Sequence, residues 1–208
     1  MKDKYASIIL AAGQSRRFGK NKLLSIFKGK TLLEHSLTPF LLHRNVIKDI
    51  YVVIGPQKTD FLAILKKYPV KPVENTEYEK YGMSLSIKLG LKNLIGENIE
   101  NLVGVFIHPG DIPLINLDIL SEFFRYPKDK KSLILIPVFK NKRGHPLFIG
   151  KNLLKKIDSI SDESQGLKGF LQENNDRIEY LDINSDIILY DIDNVEDLSK
   201  FDNLNTDQ

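Results

Sequence analysis

Short apolar runs alternate with amphipathic stretches along most of this chain. YASIILAA, residues 5–12, is apolar over the length of a strand and predicts a buried first strand. TLLEHSLTPFLLHR (31–44) carries apolar residues at helical spacing, with Thr31 as N-cap and Glu34 at the capping-box position. Pro39 should kink or divide that helix. DIYVVIG (49–55) predicts a second strand, QKTDFLAILKKY (57–68) a second helix, and VKPVEN (70–75) a short third strand. MSLSIKLGLKNLI (83–95) repeats apolar residues every three and four positions and predicts a helix. NLVGVFIHPGD (101–111) is the next buried strand and ends in a loop.

The second half is less regular. NLDILSEFFRY (116–126) predicts a helix, and SLILIPVF (132–139) and HPLFIG (145–150) flank the turn KNKRG as a hairpin would. Helical patterns follow at 151–157 and 165–173, strands at RIEYLDI (177–183) and IILYDID (187–193), and a closing helix at VEDLSKFD (195–202). Strand–helix alternation over the first half predicts a parallel sheet with helices on both faces. Right-handed crossovers put the ends of the first and fourth strands at one edge of that sheet. Ligands bind beyond the carboxyl ends of such strands. Residues 1–202 are expected to form one domain, with 203–208 a polar tail.

Composition narrows the chemistry. The 208 residues are 42% hydrophobic and 27% charged, ordinary values for a soluble globular domain. Thirty Lys and Arg against 27 Asp and Glu leave a net charge of +3. That excess is small and dispersed, so no nucleic-acid partner is expected; a few cations at an anionic ligand site account for it. There is no cysteine, which excludes disulfides, zinc–thiolate sites and a thiol nucleophile. Any metal would take oxygen or imidazole ligands, which favours magnesium. The apolar run Ala6–Ala12 is far too short to span a membrane, and Asp3 stands where a signal peptide would be positive. A cytoplasmic protein is expected, with no membrane partner.

The segment ILAAGQSRRFGKNK (9–22) reads as a phosphate-binding loop. It is not a Walker A loop: five residues separate Gly13 from Gly19, and Asn21 stands where the magnesium-binding hydroxyl belongs. It is not a dinucleotide fingerprint either, because Gln14 and Ser15 follow Gly13. What remains still suits an anion. Ala11, Ala12 and Gly13 are small enough for close backbone approach, and Gly13 and Gly19 permit positive φ, so successive amides can point at one phosphate. Arg17 offers a planar fork and Lys22 a point charge. A solvated basic turn after a strand is the plainer reading, and the small residues at the strand end weigh against it.

The pattern L-A-A-G-x-S-x-R-x-G-x-x-K, Leu10 to Lys22, resembles the signature of the MobA-like nucleotidyltransferases. The resemblance implies a Rossmann-like three-layer α/β sandwich of the nucleotide-diphospho-sugar transferase type, with a mostly parallel sheet and a small antiparallel hairpin extension. It implies Mg2+-dependent transfer of a nucleoside monophosphate from an NTP, with Arg17 and Lys22 holding the triphosphate and Leu10, Ala11, Ala12, Gly13 and Gly19 forming its cradle. Asp111-Ile112-Pro113 matches the family's D-x-P, which makes Asp111 the metal-binding carboxylate. An Asp-led turn is the alternative for that residue. DIDNVEDL (191–198) is similar to the family's D-I-D-T-P-E-D-L, so Asp191 or Asp193 would complete the metal site, with Asp193 preferred. Asn194 and Val195 depart from the usual Thr-Pro.

Two further blocks extend the resemblance. NTEYEKYGMSLSIKLG (75–90) is similar to the family's asparagine followed by G-x-S-x-S, so Gly82 and Ser84 are candidates for nucleotide contact, against simple capping by Ser84. RGHPLF (143–148) is similar to the branch that includes molybdopterin cytidylyltransferases, so Gly144 and His145 would meet the acceptor, against a structural role for the histidine. The L-A-A-G start points the same way, toward CTP rather than another NTP. The implied acceptor is molybdopterin, that is, the molybdenum cofactor. A molybdenum hydroxylase apo-enzyme is the implied protein partner. A different acceptor, such as a sugar or alditol phosphate, and a non-catalytic accessory role stay open.

Overall fold

The computed structural model describes residues 3–13, 21–96, 99, 101–113, 118–160, 166–192 and 197. The expected Arg17 and Gly19, Asp193, and all but Asp197 of the closing helix lie outside these residues.

The buried apolar runs form the centre of one sheet. β1 (Lys4–Ala11), β4 (Ile47–Ile54) and β6 (Leu102–Pro109) are each eight residues of nearly continuous burial. Such strands need cover on both faces, and β1 pairs in parallel with β4 on one side and β6 on the other. The full order is β10-β7-β9-β6-β1-β4-β5, with β5 spanning Lys71–Glu74, β7 Ile134–Phe139, β9 Leu147–Gly150 and β10 Ile178–Asp182. β9 is antiparallel to both β6 and β7; β10 runs parallel to β7. The sheet is thus mostly parallel, with the expected antiparallel insertion. β8 (Lys142–Arg143) pairs with the end of β7 across Lys140 and Asn141, both at positive φ, as a two-residue hairpin turn requires. β2 (Ile26–Phe27) and β3 (Lys30–Thr31) form a separate two-stranded ribbon.

Helices cover both faces, giving the three-layer α/β sandwich. α1 (Leu32–Leu42), α2 (Lys58–Leu65) and α4 (Asp118–Arg125) lie on one face, over a core holding Phe40, Phe61, Phe106 and Phe123. α3 (Met83–Ile95) and α5 (Gly166–Glu173) cover the other, over Ile8, Val53, Ile87, Val105 and Phe170. Thr31 and Glu34 form the predicted capping box: Glu34 N donates to Thr31 Oγ1 at 3.2 Å and Thr31 N to Glu34 Oε2 at 2.7 Å. Among the described residues no helix is long and apolar enough to cross a membrane.

Three local expectations are corrected. α1 runs unbroken through the buried Pro39. Residues 151–159 form a 3-10 helix rather than an α-helix. The predicted strand at 187–193 is replaced by a 3-10 turn, Asp186–Leu189, capped by Ser185 Oγ, which accepts from Ile187 N. The apolar side chains of that segment, Ile187, Ile188 and Ile192, are buried in the core.

Candidate active site

The strand order reverses at β1, which makes the crevice beyond β1 and β6 the switch point of the sheet. Gly110 N donates to Leu10 O at 2.9 Å and ties the two strand ends together. Above them opens a cavity of about 290 Å³, lined by Leu10, Ala12, Gly13, Pro109 and Asp111 on the strand side. Tyr78, Tyr81, Gly82, Met83 and Ser86 line the other wall, with Asn75 at its base. Larger concavities beneath α2 and beside residues 21–26 lie off this crevice. The smaller one is the candidate because a carboxylate, two glycines and buried polar groups converge there.

The acidic and basic residues meet at its mouth. Asn21 caps a 3-10 turn, Lys22–Leu24, accepting from Leu23 N at 3.1 Å, and this turn carries Lys22 back toward β6. Lys22 Nζ lies 2.9 Å from Asp111 Oδ2, with the two side chains 12% and 28% exposed. Ser36 Oγ donates to Gly110 O at 2.7 Å, fixing the backbone before Asp111 from the side of α1. Ile192 N donates to Asp111 O at 3.1 Å. That bond brings residues 191 and 192 beside Asp111, with Asp191 exposed and Ile192 buried. Among the described residues no three His, Asp or Glu side chains converge into a metal cluster.

Two histidines stand behind this pair, their ring centroids 6.4 Å apart. His108 Nε2 is 2.7 Å from Ile112 O, and a carbonyl only accepts, so Nε2 carries the proton. Its Nδ1, like that of His145, is buried without a hydrogen-bond partner. Burial, with His145 nearby, lowers the His108 pKa to about 3. Burial lowers His145 to about 4, against the opposing pull of the Asp111 carboxylate. Both rings are therefore neutral near pH 7 and add polarity without charge. His145 is held by its own N–H, which donates to Ile188 O at 2.9 Å.

Several predicted site residues are placed differently from expectation. Gly13 is not at positive φ; among the described glycines only Gly29 and Gly166 are, at 76° and 61°. Instead, no atom of the described residues lies within 4 Å of where a Gly13 Cβ would stand, so among them the residue leaves room. Ala11 faces the α1 side and is fully buried, while Leu10 and Ala12 face the cavity side, because strand residues alternate. Ser84 packs beside Gly166, where an added Cβ would meet Ser84 Oγ at 2.5 Å, and does not line the cavity. Ser86 does, and accepts from Asn75 Nδ2 at 3.0 Å. Gly144 has a packing reason to be glycine: a Cβ there would stand 2.6 Å from Ile188 O. Asn75 is the asparagine of the family pattern but had been given no contact of its own, and nothing in the pattern marked Tyr78 or Tyr81 as cavity residues.

The arrangement defines a doubly wound α/β domain with a ligand crevice at its switch point. Residues 7–178 match the MobA-like NTP transferase domain, and the chain belongs to that family. It is similar to a probable molybdenum cofactor guanylyltransferase of Thermococcus sibiricus, 28% identical over 143 residues, 67% of this chain and 65% of that protein. It is also similar to a 2-C-methyl-D-erythritol 4-phosphate cytidylyltransferase of Bacillus velezensis, 27% identical over 137 residues, 64% of this chain and 57% of that one. The chain spans a little under two thirds of the length of the curated relatives it matches. A solved nucleotidyl transferase from Methanothermobacter shares the fold, with a TM-score of 0.76 over 97% of each chain at 20% identity.

Proposed function

We propose that this chain is a nucleotidyltransferase that moves CMP from CTP to the terminal phosphate of molybdopterin, the molybdenum cofactor. The observation that carries the reading is the pairing of Lys22 with Asp111 at the mouth of a crevice walled by Ala12, Gly13 and Gly82. An acceptor phosphate oxygen would attack the α-phosphorus of the NTP; the bond from that phosphorus to the bridging oxygen breaks, and pyrophosphate leaves. A phosphate monoester is largely ionised near neutrality, so no strong general base is needed. The work is alignment and charge neutralisation. Lys22 would exchange its contact with Asp111 for the triphosphate, joined there by Arg17.

The donor set suits Mg2+. Asp111 offers a partly exposed carboxylate, and the bond from Ile192 N to Asp111 O sets residues 191 and 192 beside it. Mg2+ commonly takes one or two carboxylates, with phosphate oxygens and waters filling the rest. Asp111 with Asp191 or Asp193 would hold it, and when bound it would supply Lewis-acid neutralisation of phosphate charge.

The leaning to CTP rests on the L-A-A-G start, whose Ala12 lines the cavity. GTP is the second reading, favoured by the guanylyltransferase names of several relatives. A molybdenum hydroxylase apo-enzyme would take the product. The test is a screen of the four NTPs with and without molybdopterin, following pyrophosphate release. Release with CTP that depends on molybdopterin supports the proposal, release with GTP supports the second reading, and none with any NTP removes both.

A further inference from the structure

The turn that carries Asp111 is held by its carbonyls. Three successive peptide oxygens, those of Gly110, Asp111 and Ile112, each accept a hydrogen bond, and the three donors come from three separate elements. Ser36 Oγ, on α1, donates to Gly110 O at 2.7 Å. Ile192 N, beyond the Asp186–Leu189 turn, donates to Asp111 O at 3.1 Å. His108 Nε2, near the end of β6, donates to Ile112 O at 2.7 Å.

These bonds fix a direction. Peptide planes are rigid, so the two planes that flank a residue decide where its Cα–Cβ bond points. The plane before Asp111 contains Gly110 O, held by Ser36; the plane after it contains Asp111 O, held by Ile192. Gly110 N donates to Leu10 O at 2.9 Å and anchors the turn to β1. Glycine suits that approach, since a Cβ at Gly110 would stand 3.0 Å from Leu10 O. A glycine is also the residue whose peptide plane turns most freely, which makes the bond from Ser36 the restraint on it.

The clamp is buried and the carboxylate is not. Ser36 and His108 are fully buried and neither lines the crevice, whereas the Asp111 side chain is 28% exposed at its mouth. Ser36 reaches Leu32 O, in the preceding turn of α1, only at 3.2 Å, and its shorter bond leaves the helix for Gly110 O. Alanine has the higher helix propensity; what serine adds at this place is the donor.

We propose that Ser36 and His108 are positioning residues for the Asp111 carboxylate, and that they set the affinity for the divalent cation that Asp111 would hold beside the NTP phosphates. They act through the backbone of the turn, without touching the cation or the nucleotide. Removing a partner that orients a metal-ligating group costs about 10–100-fold in metal affinity. The assignment rests on the transfer reading above for the identity of the ligand, but its test does not need turnover.

Mn2+ is the probe, because it takes the same oxygen donors as Mg2+ and its free and bound forms differ in electron paramagnetic resonance. The metal-free whole chain is titrated with Mn2+ in the presence of the non-transferable α,β-methylene analogue of CTP, and separately of GTP. Ser36→Ala and His108→Phe are each expected to weaken Mn2+ binding about tenfold. Affinity for the analogue in chelating buffer should stay within about twofold of wild type. His108→Gln keeps a donor for Ile112 O and should recover most of the Mn2+ affinity. Ser7→Ala is the control: Ser7 is as buried as Ser36, but its Oγ has no hydrogen-bond partner among the described residues, so Mn2+ affinity should not change. Urea unfolding identifies the variants that fold, and either Ser36→Ala or His108→Phe alone is sufficient. If both fail to fold, the bonds hold the fold rather than the carboxylate and the assignment is overturned. The same Mn2+ loss in Ser7→Ala or His108→Gln overturns it too. If wild type binds Mn2+ with an analogue and the two variants match it, the clamp falls and the transfer reading stands. If the variants lose Mn2+ while no NTP yields pyrophosphate, the transfer reading falls and the clamp stands. If wild type binds neither Mn2+ nor an analogue, both fall.

Discussion

Lys22 Nζ lies 2.9 Å from Asp111 Oδ2, although 88 residues of chain, with the whole of α1, α2 and α3, separate them in sequence. Both are only partly exposed, and each belongs to a segment held from behind, Lys22 by the Asn21 cap and Asp111 by Ser36 and Ile192. On the proposed reading the pair would act as one electrostatic unit on a bound triphosphate. Lys22→Met and Asp111→Asn are each expected to cut pyrophosphate release by about 10²–10³-fold. The double variant should be little worse than either, because groups that act together are not additive. A partly exposed pair contributes at most about 1 kcal/mol to stability, so denaturation midpoints should barely move. Steady-state kinetics and urea unfolding on the three variants check both halves.

The empty space beside Gly13 leads to a sharper dissociation of binding from folding. No atom of the described residues lies within 4 Å of a Cβ placed there, and its φ is not in the left-handed region. Gly13→Ala should therefore fold as well as wild type or slightly better, since alanine narrows the unfolded ensemble. The added methyl enters the cavity where the phosphates are expected. NTP affinity should drop about tenfold or more. Thermal melts and NTP titration of this one variant are sufficient, and loss of stability without loss of affinity would reverse the reading.

Much of this was legible in the chain, and the rest was not for identifiable reasons. β1, β4 and β6 announced themselves because a strand buried on both faces must be apolar throughout. The ends of α3 were legible because its apolar residues repeat at helical spacing over 13 positions. Which serine faces the cavity was not legible. That depends on the phase of the first turn after Gly82, and Gly166, far along the chain, takes the space beside Ser84. Gly144 read as a ligand contact because its steric conflict is with Ile188, a tertiary neighbour. Residues 187–193 alternate like a strand, yet no neighbouring strand offers them a ladder among the described residues.

The buried histidines make stability depend on pH with a definite sign. In the unfolded chain each titrates near the usual pKa of about 6.5. Folded, His108 binds its proton only near pH 3 and His145 only near pH 4. Between those limits the unfolded state holds more protons, so stability falls as pH is lowered through 6.5. Each histidine should cost about 2 kcal/mol between pH 6.5 and 5. His108→Gln keeps a donor for Ile112 O and removes one titration, so its loss over that interval should be about half that of wild type. Urea unfolding at a series of pH values measures this directly; coincident profiles for the two proteins would show that His108 charges freely in the fold.

Asn75 ties the far wall of the crevice to the sheet, and its removal should be felt in both stability and substrate binding. The residue is 1% exposed; its Nδ2 donates to Ser86 Oγ at 3.0 Å and its Oδ1 accepts from Glu77 N at 3.0 Å. Asn75→Ala breaks both bonds and leaves buried or half-buried polar atoms without partners, which costs about 1–3 kcal/mol. The first turn of α3, with Gly82 and Met83 on the cavity wall, then loses its link to β5. A wall that positions the nucleotide should raise KM for the NTP more than it lowers kcat. Ser86→Ala removes only the first of the two bonds and should show a smaller change in the same direction. The coupling of the two substitutions, read as the shortfall from additivity in a double-mutant cycle, should be about 1 kcal/mol in urea unfolding. Equal effects on kcat and KM would instead assign Asn75 to holding the fold alone.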